Sequence, residues 1–199
     1  MTPQDTRAAR RDELLDAADR VIRAAGPNAS MTAIAAEAGI TKPILYRHFD
    51  DKGGLYQALA QRYVEPILGA VNAALRGPGD RRSRAAATVD AYLVFIEANP
   101  QVYRFLMHRA TVEEPEAHSA VSEFVRRIGD AIAASLREDY ALTEEQQEAA
   151  TAWGHALVGM VQVAGDWWLA SKPMSRERFT EHLVALLWDG LGHLHPVDD

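Results

Sequence analysis

Cysteine is absent from the 199 residues, which excludes disulfides, thiolate metal sites and a thiol redox switch. Lysine is scarce, three against 18 arginines. No apolar run approaches the ~18 to 20 residues that cross a membrane, and the charged start, MTPQDTRAARRDELLDAADR, lacks the apolar stretch of a secretory signal. The expectation is a cytoplasmic protein with no membrane partner. Runs of alternating β-branched residues bounded by turns are also missing, so the chain reads as all-α. A glycine-rich phosphate loop, a nucleophile elbow and a paired-carboxylate motif are lacking as well. Glu116-x-His118 and Glu181-His182 have the wrong spacing for the Glu-x-x-His pairs of a di-iron bundle. An enzyme is therefore disfavoured, and neither cofactor nor metal is expected.

What is present suits a globular chain: 48% hydrophobic and 25% charged residues, enough for a substantial core. The net charge of −7 is unevenly spread. Residues 1 to 56 hold eight basic and eight acidic side chains; the remainder holds 13 basic against 20 acidic. A neutral segment can still bind DNA when its cations face one way, because affinity follows local phosphate contacts. Two of the three lysines, Lys42 and Lys52, lie in that neutral segment.

Helical periodicity and caps divide the chain into nine helices, three followed by six. The first spans about Thr6 to Ala25, with Leu14, Ala17, Ala18, Val21 and Ile22 as its apolar stripe and Gly26-Pro27 as its end. Ser30 or Thr32 caps the second, and Gly39 closes it. Thr41 caps the third, with Pro43 in its first turn. Asp50 and Asp51 cap a fourth from Lys52 to Arg76, bent or interrupted near Pro66. After the turn Arg76-Gly-Pro-Gly-Asp80, helices are expected over 81–98, from Pro100 to about Arg109, and over 118–140 beyond an acidic loop at 112–116. Thr143-Glu-Glu-Gln146 has the spacing of a capping box for a helix to Ala170. Pro173 breaks that helix, Ser175 caps the last one, and Gly192 with Pro196 ends it.

The stretch SMTAIAAEAGITKPILYRHFDDKGGL, residues 30 to 55, spells two short helices joined by a tight turn. Ala35 lets the helices approach, Gly39 supplies a positive φ, and Leu45 locks the second helix down. Leu45 and Phe49 share its buried face. Thr41, Lys42, Pro43, Ile44, Tyr46, Arg47 and His48 are left for solvent or DNA. Lysine and arginine suit phosphates or guanine edges, tyrosine and histidine suit phosphate oxygens, and Pro43 and Ile44 suit a thymine methyl. Thr32 and Lys52, each at a helix start, bring donors to phosphates. Arg7, Arg10 and Arg11 offer a further backbone clamp.

The wider pattern is Thr32-x-Ile34-Ala35-x-x-Ala38-Gly39-Ile40-Thr41, then Leu45-Tyr46-x-His48-Phe49, then Lys52-x-x-Leu55. It closely resembles the DNA-binding signature of the TetR family of one-component regulators. The resemblance covers about 50 residues near the N-terminus. It implies a nine-helix TetR-like architecture: a helix-turn-helix domain over 1–51 and a helical ligand-binding and dimerisation domain over 52–199. By direct match, Tyr46, His48 and Lys52 are carried over as phosphate contacts. Two departures from the family matter. Pro43 and Ile44 stand where a glycine and a small or hydroxyl residue are common, so no operator can be borrowed. Gly53-Gly54 replaces an acidic pair, which is expected to loosen the start of helix four.

The resemblance further implies double-stranded operator DNA, a homodimer and a small-molecule inducer as partners. The helix from 144 to 170 is apolar on two stripes, one through Trp153, Leu157, Met160, Ala164 and Trp167, another through Val158, Val161, Gly165 and Trp168. Such a helix needs two neighbours, either a dimer partner or a monomer core on both sides. Gly154, Gly159 and Gly165 are read as permitting close helix approach. A ligand cavity is expected between helices four and eight, lined by Tyr63, Tyr92, Phe95, Tyr103, Phe105, Met107, Phe124, Trp153 and Met160. Asn99, His108, His155, Gln162 and Asp166 are the candidate polar anchors. The acidic balance of this part favours a neutral, lipophilic or cationic ligand over a polyanion. A repressor released by its ligand is the leading reading, with a ligand-independent activator or architectural protein as the alternative.

Overall fold

The computed structural model describes residues 3–112 and 115–190, with side chains over 7–51, 53–107 and 121–190. Among these residues every regular element is helical. They are α1 (Pro3–Ala25), a 3₁₀ turn (Gly26–Asn28), α2 (Met31–Glu37), α3 (Lys42–Phe49), α4 (Lys52–Leu75), α5 (Arg81–Ala98), α6 (Pro100–Val112), α7 (Pro115–Asp139), α8 (Glu144–Ser171) and α9 (Arg176–Asp189). Most expected boundaries fall within a few residues. The differences are that α1, α6 and α7 are longer than read, that Gly190 caps α9 at φ +59, and that α4 runs through Pro66 without interruption. One forfeited N–H does not end a helix whose neighbours Tyr63, Val64, Ile67, Leu68 and Val71 are all buried. Gly192 and Pro196 lie outside the described residues.

Packing groups the described residues into two compact units. One unit joins residues 1–65 to 99–124; the other joins 66–98 to 125–199. The first unit therefore contains α6. It packs on α1 and the 3₁₀ turn, where Gly26 at φ +55 leaves room for the Gln101 side chain, and Arg23 donates to Asn99 Oδ1 at 2.9 Å. The core of this unit is Leu14, Ala18, Ile22, Ile34, Leu45, Phe49, Leu55 and Leu59, all essentially inaccessible, with Tyr56 against Phe105 at 5.7 Å. A polar seam ties α1 to α4: Arg62 pairs with Asp16, and the Tyr63 hydroxyl donates to Asp19, which also receives Arg23 Nε at 2.8 Å. Burial and the bond to Asp19 hold the Tyr63 hydroxyl far above its ordinary pKa. Arg20 to Glu37, at 2.7 Å, joins α1 to α2.

In the second unit, α5 packs against α8 and α9. Gly165 lets α8 approach Tyr92, Leu93 and Ile96, and a Cβ at Gly154 would lie 2.3 Å from the Gly129 carbonyl oxygen of α7. A Cβ at Gly159 would meet nothing among the described residues. The α8–α9 corner is built on Trp168, fully buried, stacked on Phe179 at 5.5 Å and donating its indole N–H to the Met174 carbonyl. Over it, Glu97 accepts from Lys172 Nζ at 2.5 Å and Arg176 Nη1 at 2.9 Å, and Arg176 also pairs with Asp90. The capping box at Thr143 and Gln146 and the cap from Ser175 form as expected.

Two stability predictions follow from this packing. A Cβ at Gly54 would sit 1.9 Å from the Phe49 carbonyl oxygen, whereas one at Gly69 meets nothing. Gly54→Ala should destabilise by about 1–3 kcal/mol through overpacking, and Gly69→Ala should stabilise by about 0.5–1 kcal/mol; denaturant titration reads both. The bond from Lys172, helped by Arg176 and opposed by burial, holds the Glu97 carboxyl below its usual range. A depressed folded-state value means the stabilisation is present above the unfolded value of ~4.3 and is lost as pH falls through the lower folded one. Glu97→Gln should therefore lower the Tm by a few degrees near neutral pH and converge on the parent protein at about pH 3.

Candidate nucleic-acid interface and ligand cavity

The turn and recognition helix form for the reasons their residues suggest. Ser30 Oγ accepts from Ala33 N, Gly39 sits at φ +67, and Ile40 N closes on the Ala35 carbonyl at 2.9 Å. Leu45 and Phe49 are buried, which leaves Thr41, Lys42, Pro43, Ile44 and Arg47 exposed with Tyr46 and His48 half-buried. Thr41 takes the N-cap position in an extended conformation, but its hydroxyl makes no capping bond. Lys42 and Arg47 form no ion pair among the described residues. Ile44, 41% exposed, is one of the few large apolar side chains left in solvent. Thr32 is exposed at the start of α2, and the side chain of Lys52 lies outside the described residues.

One arginine of the expected α1 clamp plays another part. Arg11 Nη1 donates to the His48 carbonyl at 3.3 Å, and its guanidinium lies 4.6 Å from the centroid of the Phe49 ring. It thus caps the C-terminal end of α3, where carbonyls lack helical partners, and covers the ring that anchors the helix. Arg10 pairs with Glu13, while Arg7 is exposed. The joint to α4 is also tighter than its glycines suggest. Asp50 turns the chain at φ +68, Asp51 Oδ1 accepts from Gly54 N at 2.7 Å, and Gly54 abuts the Phe49 carbonyl. The expected soft joint is a close contact that a side chain would disrupt.

The second unit holds a cavity of about 150 Å³. Its buried lining includes Val71, Val89, Tyr92, Ile128 and Val158; its exposed lining includes Arg81, Tyr140 and Trp188. Arg84 pairs with Asp139 at 2.5 Å, Arg81 donates to the Asp139 carbonyl, and the Arg81 guanidinium stacks 4.5 Å over Tyr140.

Comparison with known proteins agrees with this geometry. Residues 14–59 match the family model for bacterial regulatory proteins, tetR family, and residues 70–199 match that for a tetracyclin repressor-like C-terminal domain. The chain belongs to the TetR family. It is 34% identical over 190 residues to the HTH-type transcriptional activator FasR of Mycolicibacterium smegmatis, covering 93% of this chain and 84% of that one. It is 30% identical to an uncharacterized HTH-type transcriptional regulator of Mycobacterium tuberculosis, covering 92% and 77%. A TetR-like transcriptional regulator from Rhodococcus sp. RHA1 superposes with a TM-score of 0.68 at 25% identity, over 94% and 98% of the chains. This TetR-family chain is a DNA-binding transcriptional regulator and not an enzyme. No described helix is long and apolar enough to cross a membrane.

For this TetR-family member, α3 forms where the sequence placed it, whereas most of the expected ligand-lining residues are not gathered at this cavity. Of the expected lining residues only Tyr92 faces the cavity, joined by the candidate anchor Gln162. Tyr63, Tyr103 and Phe105 are core of the first unit, and Phe124 is buried at its edge. Phe95 and Met107 are half-buried and outside the cavity lining. Trp153 is 41% exposed, Asp166 is exposed and Met160 is half-buried away from the lining. His155 Nε2 lies 3.4 Å from Asp130 Oδ1, with its ring against Gly129. Asn99 is held by Arg23, and the side chain of His108 lies outside the described residues. The aliphatic residues of α7 that form the far wall, Ile128, Ile132 and Leu136, carried only the ordinary helical spacing of a core.

The position of Arg11 generates a prediction. A phosphate-binding arginine contributes about 0.9 to the slope of log affinity against log salt. Arg11→Gln should weaken operator binding while leaving that slope unchanged, whereas Arg47→Gln should reduce it; binding titrations across a salt series separate the two.

Proposed function

We propose that this regulator binds a two-fold operator as a homodimer, places α3 of each protomer in the major groove, and releases the operator when a small lipophilic ligand fills the cavity. The observation that carries this reading is the face of α3: Thr41, Lys42, Pro43, Ile44 and Arg47 stand exposed on a helix whose other side is clamped by Leu45 and Phe49. Thr41, Lys42, Pro43 and Ile44 read base edges, and Arg47 meets phosphate or guanine. Tyr46, His48, Thr32 and Lys52 contact phosphates. The dimer reading rests on α8 and α9. Trp153, Ala156, Val163 and Trp167 are exposed at helical spacing on α8, and Leu186 and Trp188 are exposed on α9. A second copy seated on this stripe supplies the two-fold axis that a palindromic operator, with half-sites about one ~34 Å helical turn apart, demands. Ligand and operator then oppose each other by a coupling typically worth ~1–3 kcal/mol.

Activation of transcription is a second reading, favoured by the 34% identity to a protein named as an activator. The two differ in where the operator lies relative to the promoter and share the same DNA-binding geometry. In vitro selection of bound genomic fragments, followed by footprinting, tests the operator; a bound site without two-fold symmetry would overturn the dimer reading. Val163, 70% exposed, is a safe place to charge the proposed interface. Val163→Glu should give a folded monomer by sedimentation and weaken operator binding by about a hundredfold or more, as expected when two linked contacts become one.

A further inference from the structure

The cavity does not end in apolar walls. A second, polar cavity of about 130 Å³ adjoins it and shares Leu75, Arg84, Ser135 and Asp139 as common lining. The polar side adds Asn72, Arg76 and Glu138. Across both, Arg76, Arg81 and Arg84 face two carboxylates, Glu138 and Asp139, so the junction carries one positive charge in excess. The acidic balance of the residues beyond 56 therefore does not describe the charge that a ligand meets here. Asp139 is the group that now occupies Arg84: its carboxylate accepts from Arg84 at 2.5 Å and from Ser135 Oγ at 3.1 Å. Burial opposes ionisation of this carboxyl, but those bonds outweigh it and hold the group below its usual range. The pair is partly shielded from water, with side-chain exposures of 21% and 27%.

We propose that the ligand is an amphiphile with a single anionic head, a carboxylate or a phosphate monoester. Its hydrocarbon chain lies among Val71, Val89, Tyr92, Ile128 and Val158, and its head lies at the junction, where it takes the place of Asp139 on Arg84. The physical grounds are complementary. A largely apolar lining takes a hydrocarbon group. A guanidinium fork pairs best with a planar or tetrahedral oxyanion through charge-assisted bonds in such a half-shielded site. A neutral chain fills the apolar half and leaves the Arg84–Asp139 pair untouched. A cationic head meets the excess positive charge. The proposal rests on the reading of this cavity as the ligand site.

Four short-chain probes test it by calorimetric titration of the protein: octanoate, octyl phosphate, octanol and octyltrimethylammonium. Octanoate or octyl phosphate should bind about tenfold or more tightly than octanol, with the ammonium weakest, from the gain of charge-assisted bonds. Which of the two anions binds better separates a carboxylate from a phosphate source. Asp139→Asn removes the competing carboxylate and should tighten the anions about three- to tenfold while leaving octanol unchanged. Arg84→Met should reduce the anions to the level of octanol. Ala85→Phe, placed in the apolar half, should abolish binding of all probes. Octanol binding as tightly as the anions, with an unchanged response to Asp139→Asn, would overturn the anionic head yet leave the cavity as a ligand site. Probes that bind equally well to the Ala85→Phe protein would overturn the cavity itself. Should Arg84→Met not fold, the response to Asp139→Asn still decides.

Discussion

Phe49 is held from three directions, and the orientation of α3 depends on that. Its ring is buried in the core with Leu45, the Arg11 guanidinium covers the ring at 4.6 Å, and its carbonyl oxygen is packed against Gly54. An eight-residue helix has too few hydrogen bonds to be stable alone, so its orientation is set by tertiary packing. Each restraint acts at the C-terminal end of α3, opposite the first turn that carries Thr41, Lys42, Pro43 and Ile44. The first turn carries no restraint of this kind, while the other end is fixed. Such a division suits recognition: base contacts require exposed donors and apolar groups, and their placement requires a rigid support.

The same economy of packing explains why α6 belongs with the helix-turn-helix. Gly26 brings the turn after α1 close to Gln101, and the seam of Asp16, Asp19, Arg23, Arg62 and Tyr63 closes the face of α1 against α4. These polar pairs are largely exposed at their edges and contribute little individually. Their use is in register, since Arg62–Asp16 and Tyr63–Asp19 join residues more than forty positions apart, while Arg23 braces Asp19 from within α1. In the second unit, the Glu97–Lys172–Arg176–Asp90 cluster acts likewise above the stacked pair Trp168 and Phe179.

Local signals were legible wherever the physics is local. Caps at Ser30, Thr143 and Ser175, the positive φ of Gly39 and the Leu45–Phe49 spacing each follow from a few neighbouring residues, and each forms as read. The cavity was not legible. Aromatic and methionine residues were read as its lining, yet most of them are core or lie on an exposed face. A buried aromatic and a cavity-lining one carry the same periodicity, and only the arrangement of neighbouring helices separates them. The glycines show the same split: Gly39 is required by its own dihedral, but Gly54, Gly154 and Gly165 are required by backbone or side chains that approach from elsewhere.

The sequence by itself determined the helical class, the order of the helices and the membership of the TetR family, because these rest on short-range periodicity, capping and one dense motif. Tertiary structure alone decided that Arg11 secures α3, that α6 packs with the first unit, and that Arg84 and Asp139 stand where an apolar cavity meets a polar one. Those pairs are separated by 37 and 55 residues along the chain in the cases of Arg11–His48 and Arg84–Asp139. No periodic pattern spans such distances; only the burial of apolar surface, which is non-directional and shared by the whole core, brings them together.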